Sequence, residues 1–78
     1  MSTLPKARVV LIMDVSFVDD AMQVNLTDGR EIRVPLEWFP KLRDANPETR
    51  RNWRLIGKGI GIHWPDLDED LSLEGLLH

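Results

Sequence analysis

Apolar and polar residues alternate through most of the first half of the chain. Residues 8–18 are rich in Val, Ile, Met and Phe and end at a pair of aspartates, while residues 21–27 and 30–34 alternate strictly. A period of two is typical of a β-strand with one buried face. The pattern therefore predicts three consecutive strands, the first of them apolar on both faces in its first half.

The alternation of apolar and polar positions on both sides predicts the length of the loop that joins the second and third strands. Directly opposed residues of an antiparallel pair lie on the same face. A two-residue loop at Asp28-Gly29 would oppose apolar to charged residues, whereas a three-residue loop over 27–29 opposes Val24 to Ile32. The longer loop also places Gly29 at the left-handed bulge position, so we predict the three-residue loop.

Proline and capping residues divide the middle of the chain into two short helices. Residues 36–45 are predicted to be helical, with Pro40 in the first turn, where its missing N–H does no harm. Asn46 and Pro47 are a typical N-cap and first helical residue. The second helix is expected to continue to about residue 52.

The last third of the chain predicts two more strands and a final helix. Residues 53–56 are extended, and the glycines at 57 and 59 allow a tight turn and a close strand crossing. In the next strand Ile60, Ile62 and Trp64 share one face, which leaves His63 at the edge or surface of the sheet. Ser72 can cap a short helix that carries three leucines.

These elements predict a fold class and a domain count. We expect an α+β fold with a small antiparallel sheet of four to five strands and two or three short helices. The predicted order is β-β-β-α-α-β-β-α, with residues 1–78 forming a single domain.

Composition and the first apolar run limit the class of protein but indicate no particular chemical activity. The chain has 78 residues and no cysteine, so apolar packing must stabilise it without disulfides or thiolate metal sites. The first apolar run, Val9 to Met13, has five residues, against roughly 7–15 for a signal peptide core and ~20 for a membrane span. We therefore predict a cytoplasmic protein that does not enter a membrane.

The formal net charge of −3 is the balance of two unlike segments. Residues 40–58 contain six Lys or Arg and two acidic residues, whereas residues 65–78 contain five acidic residues and no Lys or Arg. A general nucleic-acid binder would normally be basic overall. The division instead favours a surface that carries both signs of charge.

Three motifs that could carry chemistry are incomplete. The glycines at 57, 59 and 61 lack the third glycine of a dinucleotide loop, because position 62 is Ile, and a strand follows where a helix is needed. The acidic run from Asp66 lacks both the glycine and the final glutamate of a calcium loop. His63 has neither cysteine nor a second internal histidine to complete a zinc site. We predict no catalytic residue, metal or cofactor.

Tryptophan is the most prominent aromatic residue. Trp38, Trp53 and Trp64 are expected to anchor the core, since each can bury about 200 Å². Alternatively, one or two of them could form a recognition surface beside the arginines of the basic segment.

Four segments resemble a known family: LTDGREI (26–32), VPLEWFPKL (34–42), residues 45–53 and GIGIHWPDLDEDLS (59–72). They are similar to domain-of-unknown-function family 2442, small bacterial proteins, over about residues 15–77. The resemblance implies an α+β fold with a small antiparallel sheet. Members are often encoded beside a protein of family 4160, as in a toxin–antitoxin pair, which implies that this chain is the antitoxin-side subunit.

We therefore predict a non-enzymatic protein-interaction module, an antitoxin-like subunit whose partner is a small, basic, toxin-like protein. The predicted contact residues are those of the acidic segment and the tryptophan before it: Trp64, Asp66, Asp68, Glu69 and Asp70. The alternative is a DNA-binding or regulatory protein that acts through a basic helical segment, with a homodimer doubling the basic face. That segment would use Arg43, Arg50, Arg51 and Arg54.

Overall fold

The structure, a computed structural model, describes residues 10–77. It contains two three-stranded antiparallel sheets, each with its strands in chain order. The first sheet comprises β1 (Ile12–Val18), β2 (Ala21–Leu26) and β3 (Glu31–Pro35), and the second comprises β4 (Arg54–Ile56), β5 (Gly61–Trp64) and β6 (Glu69–Ser72). The helical elements are a 3₁₀ turn (Leu36–Trp38), α1 (Pro40–Arg43), α2 (Pro47–Arg51) and α3 (Leu73–Leu76).

The α+β class is confirmed, but the predicted single sheet of four to five strands is wrong in detail, because six strands form two sheets. Residues 8 and 9 of the predicted first strand lie outside the described residues. None of the helices in the described part of the chain is long and apolar enough to cross a membrane.

The β2–β3 hairpin has the predicted three-residue loop. Val24 pairs with Ile32 and Met22 with Val34, so one face of the hairpin is apolar throughout. Gly29 has a φ of 93° and donates its backbone N–H to the carbonyl of Leu26 at 3.1 Å. Both the register and the glycine position are confirmed.

A β-bulge interrupts the alternation predicted for β1. Ile12 pairs with Leu26 while Asp14 pairs with Asn25, so β1 contains one extra residue at this point. Ile12 is buried and Met13 is 59% exposed. Unbroken alternation predicts that Met13 shares one face with Val15 and Phe17. That prediction is wrong, because the bulge changes the phase of the alternation.

The predicted caps are confirmed and one predicted helix is divided. The Asn46 side chain accepts a hydrogen bond from the Thr49 N–H at 2.7 Å, and the Ser72 hydroxyl accepts one from the Gly75 N–H at 3.0 Å. The segment predicted as a helix over 36–45 is instead a 3₁₀ turn followed by α1. Pro40 begins α1, since it has no N–H to continue the preceding turn.

Strand β6 was not predicted and replaces the end of an expected acidic loop. It pairs with β5 along its whole length, with Leu71 opposite Ile62 and Asp70 opposite His63. The half-buried side chain of Leu71 packs against the core. Residues 66–72 contain four acidic residues and only two apolar ones, so the sequence here has no alternation long enough to predict a strand.

The two sheets meet where β1 begins and the β4–β5 turn ends. The N–H of Ile12 donates to the carbonyl of Gly59 at 2.8 Å. Gly59 has a φ of 127°, and a Cβ at this position would lie 2.6 Å from the carbonyl oxygen of Ile12. The predicted close crossing at a glycine is therefore confirmed.

One apolar core lies between the elements and includes residues of both sheets. Its buried side chains are Ile12, Val15, Met22, Val24, Leu26, Val34, Leu36, Leu42, Ile62, Trp64 and Leu73. Because both sheets contribute to it, the core fixes the position of the second sheet and of the surface described next.

Candidate interaction surface

The side of the second sheet that faces away from the core carries polar and apolar groups together. We call this side the outer surface; its two cross-strand rows are Arg54–His63–Asp70 and Ile56–Gly61–Ser72. The residues between these rows alternate to the opposite side, where Leu55, Ile62 and Leu71 pack in or against the core. Alternation along three short strands thus creates a surface from residues that are scattered through the sequence.

His63 and Asp70 form the polar part of the outer surface. His63 Nδ1 contacts Asp70 Oδ1 directly, and this pair is ionic when the imidazole is protonated. The imidazole is half-buried, whereas Asp70 is exposed. His63 thus lies at the sheet surface, as predicted, and holds the Asp70 carboxylate beside the second row.

Gly61 leaves a trough in the second row. A Cβ at this position would lie 2.9 Å from the Leu71 carbonyl oxygen and 3.4 Å from Ile56 Cδ1, so only glycine fits without displacement. The trough has a cavity volume of about 280 Å³ and is bordered by Ile56, Ile60 and Asp70. It can therefore accept an apolar side chain next to a carboxylate.

Ile60 is an exposed apolar residue at the end of this trough. Its N–H donates to the Ile56 carbonyl at 2.9 Å, because the turn after β4 continues through residue 60. Ile60 is 57% exposed, so the prediction that it shares the buried face of Ile62 and Trp64 is wrong. The run of positive φ values at Gly57, Lys58 and Gly59 lengthens the turn, and the alternating glycines are the sequence signal for it.

The predicted acidic contact residues point in different directions. Asp66 accepts a hydrogen bond from the Asn52 amide at 3.2 Å, and Glu69 is half-buried with its carboxylate 3.8 Å from Lys41 Nζ on α1. Asp68 is exposed and has a φ of 51° in the turn before β6. Of the four acids, Asp70 lies on the outer surface and Asp68 lies two residues before it in the chain.

Trp64 belongs to the core and not to the surface. Its side chain is 0% exposed, and its indole N–H donates to the Arg50 carbonyl at 2.9 Å. Its assignment as a contact residue is therefore corrected, because no partner can reach a fully buried ring. Trp53 is half-buried against the core, whereas Trp38 is 64% exposed, so core anchoring holds for two of the three tryptophans.

Two of the four predicted DNA-contact arginines already have structural partners. Arg43 binds Glu37 at 2.8 Å and Asp44 at 3.0 Å, and its guanidinium lowers the pKa of the Asp44 carboxyl through a hydrogen bond. Arg50 donates to the carbonyls of Leu42 and Arg43 at the end of α1, at 2.8 and 2.6 Å. Both guanidinium groups are thus held by acceptors of this chain.

Arg51 and Arg54 differ from these two. Each is exposed, and neither has a side-chain hydrogen bond or ion pair with another residue in the range 10–77. Arg51 lines a cleft of about 370 Å³ between α2 and β1, whereas Arg54 lies on the outer surface in the row of His63. The basic segment is therefore divided between separate elements.

Metal ligands are not grouped in the described part of the chain. Among residues 10–77, no three His, Asp or Glu side chains lie close enough together to hold a metal ion. The acidic residues of the incomplete calcium loop contact different groups, since Asp66 accepts a hydrogen bond from Asn52 and Glu69 lies near Lys41.

The chain is similar in fold and sequence to two proteins of known structure. A crystal structure of a protein of unknown function from Rhodospirillum rubrum matches with a TM-score of 0.76 and 26% identity, over 90% of this chain and 87% of that one. The solution structure of the uncharacterized protein CV0863 from Chromobacterium violaceum matches with a TM-score of 0.72 and 26% identity, over 86% of this chain and 63% of that one. No protein of curated function matches the chain.

A family model confirms the resemblance that the sequence motifs suggested. The model described as "Protein of unknown function (DUF2442)" matches residues 12–78, which include both sheets and all three helices. The chain therefore belongs to the DUF2442 family.

Proposed function

We propose that this protein is a non-enzymatic interaction subunit, antitoxin-like, that binds a small basic protein through its outer surface. One observation carries the proposal: exposed Ile56 and Ile60 border a trough over Gly61, with the Asp70 carboxylate at its rim. A cytoplasmic location is part of the proposal; the short first apolar run predicts it, and the absence of cysteine fits it.

The apolar part of the surface supports protein binding. Exposed apolar residues that are contiguous and bordered by polar groups are typical of interaction sites. Beyond Ile60 lies a second hollow lined by Leu73 and Leu77, and Leu77 is itself exposed. A partner that covers Ile60 would therefore bury apolar area on both sides of it.

The charged part of the surface supports a basic partner. Asp70 is exposed at the rim of the trough and Asp68 is exposed in the turn before β6, in a segment that contains five acidic residues and no Lys or Arg. Opposite charges increase association rates and disfavour partners of the same charge. The family resemblance provides a concrete candidate, the family 4160 protein that is often encoded beside such a chain.

The first test replaces Ile60 with serine and measures binding to the protein encoded beside this gene. We expect the Ile60→Ser dissociation constant to be about tenfold higher than that of the wild type, since roughly 1.4 kcal/mol of apolar burial is lost. Isothermal titration calorimetry gives both constants. Because Ile60 is exposed, the unfolding transition should be almost unchanged.

Met13 provides a matched control. It is 59% exposed, against 57% for Ile60, but it lies on β1 in the other sheet. Met13→Ser should bind like the wild type. Equal losses for the two variants, or no complex with the wild type, would refute the proposal.

A DNA-binding or regulatory role stays the second prediction. Of the four arginines on which it depends, Arg43 and Arg50 are held by acceptors of the chain itself. Arg51 and Arg54 remain exposed for phosphate contacts. The outer surface, which joins apolar and acidic groups, favours the protein partner.

A further inference from the structure

Strand β6 is an edge strand whose backbone groups alternate between β5 and the free side. Just beyond the strand ends, the N–H of Leu73 donates to the carbonyl of Ile60 at 2.9 Å, so these two residues occupy a hydrogen-bonded position in the β5–β6 register. Hydrogen-bonded pairs recur at every second residue of an antiparallel ladder. The backbone groups of Leu71 therefore point to β5, while those of Asp70 and Ser72 point away from the sheet.

We propose that the partner docks by adding a basic, extended segment to β6 as a fourth strand of the second sheet. This inference rests on the proposed function and specifies how the partner binds. Asp70 offers an N–H donor and a carbonyl acceptor, and Ser72 offers a second N–H donor, in the spacing that an added strand requires. The Ser72 carbonyl instead accepts the first hydrogen bond of α3, so the added strand ends there. Among the described residues, β6 has a neighbouring strand on one side only.

The side chains of β6 specify the chemistry of the added strand. Asp70 lies on the outer surface, so a Lys or Arg directly across from it would form a cross-strand ion pair. Leu71 lies on the opposite side and is half-buried, so an apolar residue of the added strand would complete its burial. The occupant is therefore a segment that alternates basic and apolar residues.

Charge also excludes a second copy of this chain as the preferred occupant. An antiparallel pair of two β6 strands would bring Glu69 and Asp70 of one copy close to the same acids of the other. Natural edge strands often carry charges that prevent such self-pairing. The acids of β6 thus disfavour a homodimer at this edge and favour a basic strand.

Amide hydrogen exchange, followed by NMR with and without the protein encoded beside this gene, tests the inference. In the free protein the outward N–H groups of Asp70 and Ser72 should exchange fast, and the complex should slow both at least about tenfold. Arg33 is the internal control. Its N–H also points outward, at the β3 edge of the first sheet, because Arg30 accepts from Leu26 across the hairpin.

Each outcome decides the inference. Protection of Asp70 and Ser72 without protection of Arg33 supports strand addition. A complex in which both amides stay fast refutes strand addition but leaves the proposed function standing, whereas the absence of a complex refutes both. Protection in the free protein that rises with its concentration would show a second copy at this edge and would also overturn the inference.

Discussion

Replacing Trp64 with alanine is expected to destabilise the domain by about 3–5 kcal/mol, the usual loss for a large buried aromatic residue. The indole is 0% exposed, and it also donates the hydrogen bond that ties β5 to the Arg50 carbonyl at the end of α2. A domain of this length has a total stability of about 4–12 kcal/mol. The substitution should therefore remove a large fraction of the domain's stability.

Urea unfolding followed by far-UV circular dichroism measures this effect. Trp38→Ala is the matched control, because Trp38 is 64% exposed and its removal should change the free energy of unfolding by only about 0.5 kcal/mol. If Trp64→Ala were no more destabilising than Trp38→Ala, the placement of Trp64 in the core would be wrong.

Replacing Gly59 with alanine should produce a comparable loss through the backbone. The new Cβ would lie 2.6 Å from the Ile12 carbonyl oxygen and 2.9 Å from the Ile12 nitrogen. Both are backbone atoms of the strand that crosses here, so relief requires the two sheets to separate and the 2.8 Å hydrogen bond between them to break. With the strain of a φ near 127°, we expect a loss of at least about 3 kcal/mol.

Gly29→Ala separates the effect of backbone strain from that of the crossing. Gly29 also has a positive φ, but a Cβ there would meet no atom within 4 Å. Its loss should be about 1–2 kcal/mol, the intrinsic penalty of a left-handed residue. Equal midpoints for the two variants in thermal unfolding would show that the sheets do not meet at Gly59.

Local signals in the sequence were sufficient for several elements. The register of the β2–β3 hairpin follows from parity alone, since opposed residues must share a face, and the pairing of Val24 with Ile32 agrees. The caps at Asn46 and Ser72 were also predictable, because a cap depends on residues three positions apart in the chain.

Other features depend on contacts that no local pattern contains. The bulge at Met13 arises where β1 meets both β2 and the Gly59 turn, so the alternation alone gave the wrong phase. Strand β6 forms because β5 is available as a template, although two of its four residues are acidic. Tertiary pairing here overrides weak local propensity.

The candidate surface was predictable only in part, for the same reason. The sequence identified the acidic segment, and Asp70 does lie on the outer surface. The sequence predicted Trp64 both as a core anchor and as a contact residue, and it could not show that Ile60 is exposed while Trp64 is buried, because both have the same apolar periodicity. Nor could it show that Arg50 binds carbonyls of α1, since those acceptors come from a separate helix.

The central claim, that the exposed acids in β6 and in the turn before it bind a basic protein, is tested most directly by the salt dependence of one dissociation constant. Calorimetry at about 0.05 M and about 0.3 M salt would compare the wild type with the Asp68→Asn/Asp70→Asn double variant, using the protein encoded beside this gene. Asparagine suits the positive φ of residue 68, so the change removes charge without adding backbone strain. Glu31→Gln, which changes an exposed acid of the first sheet, is the control.

We expect high salt to weaken the binding of the wild type and of the control severalfold. The double variant should bind about tenfold more weakly than the wild type at low salt, and its dissociation constant should change little at high salt. Identical constants for the double variant and the control at both salt concentrations would contradict the claim.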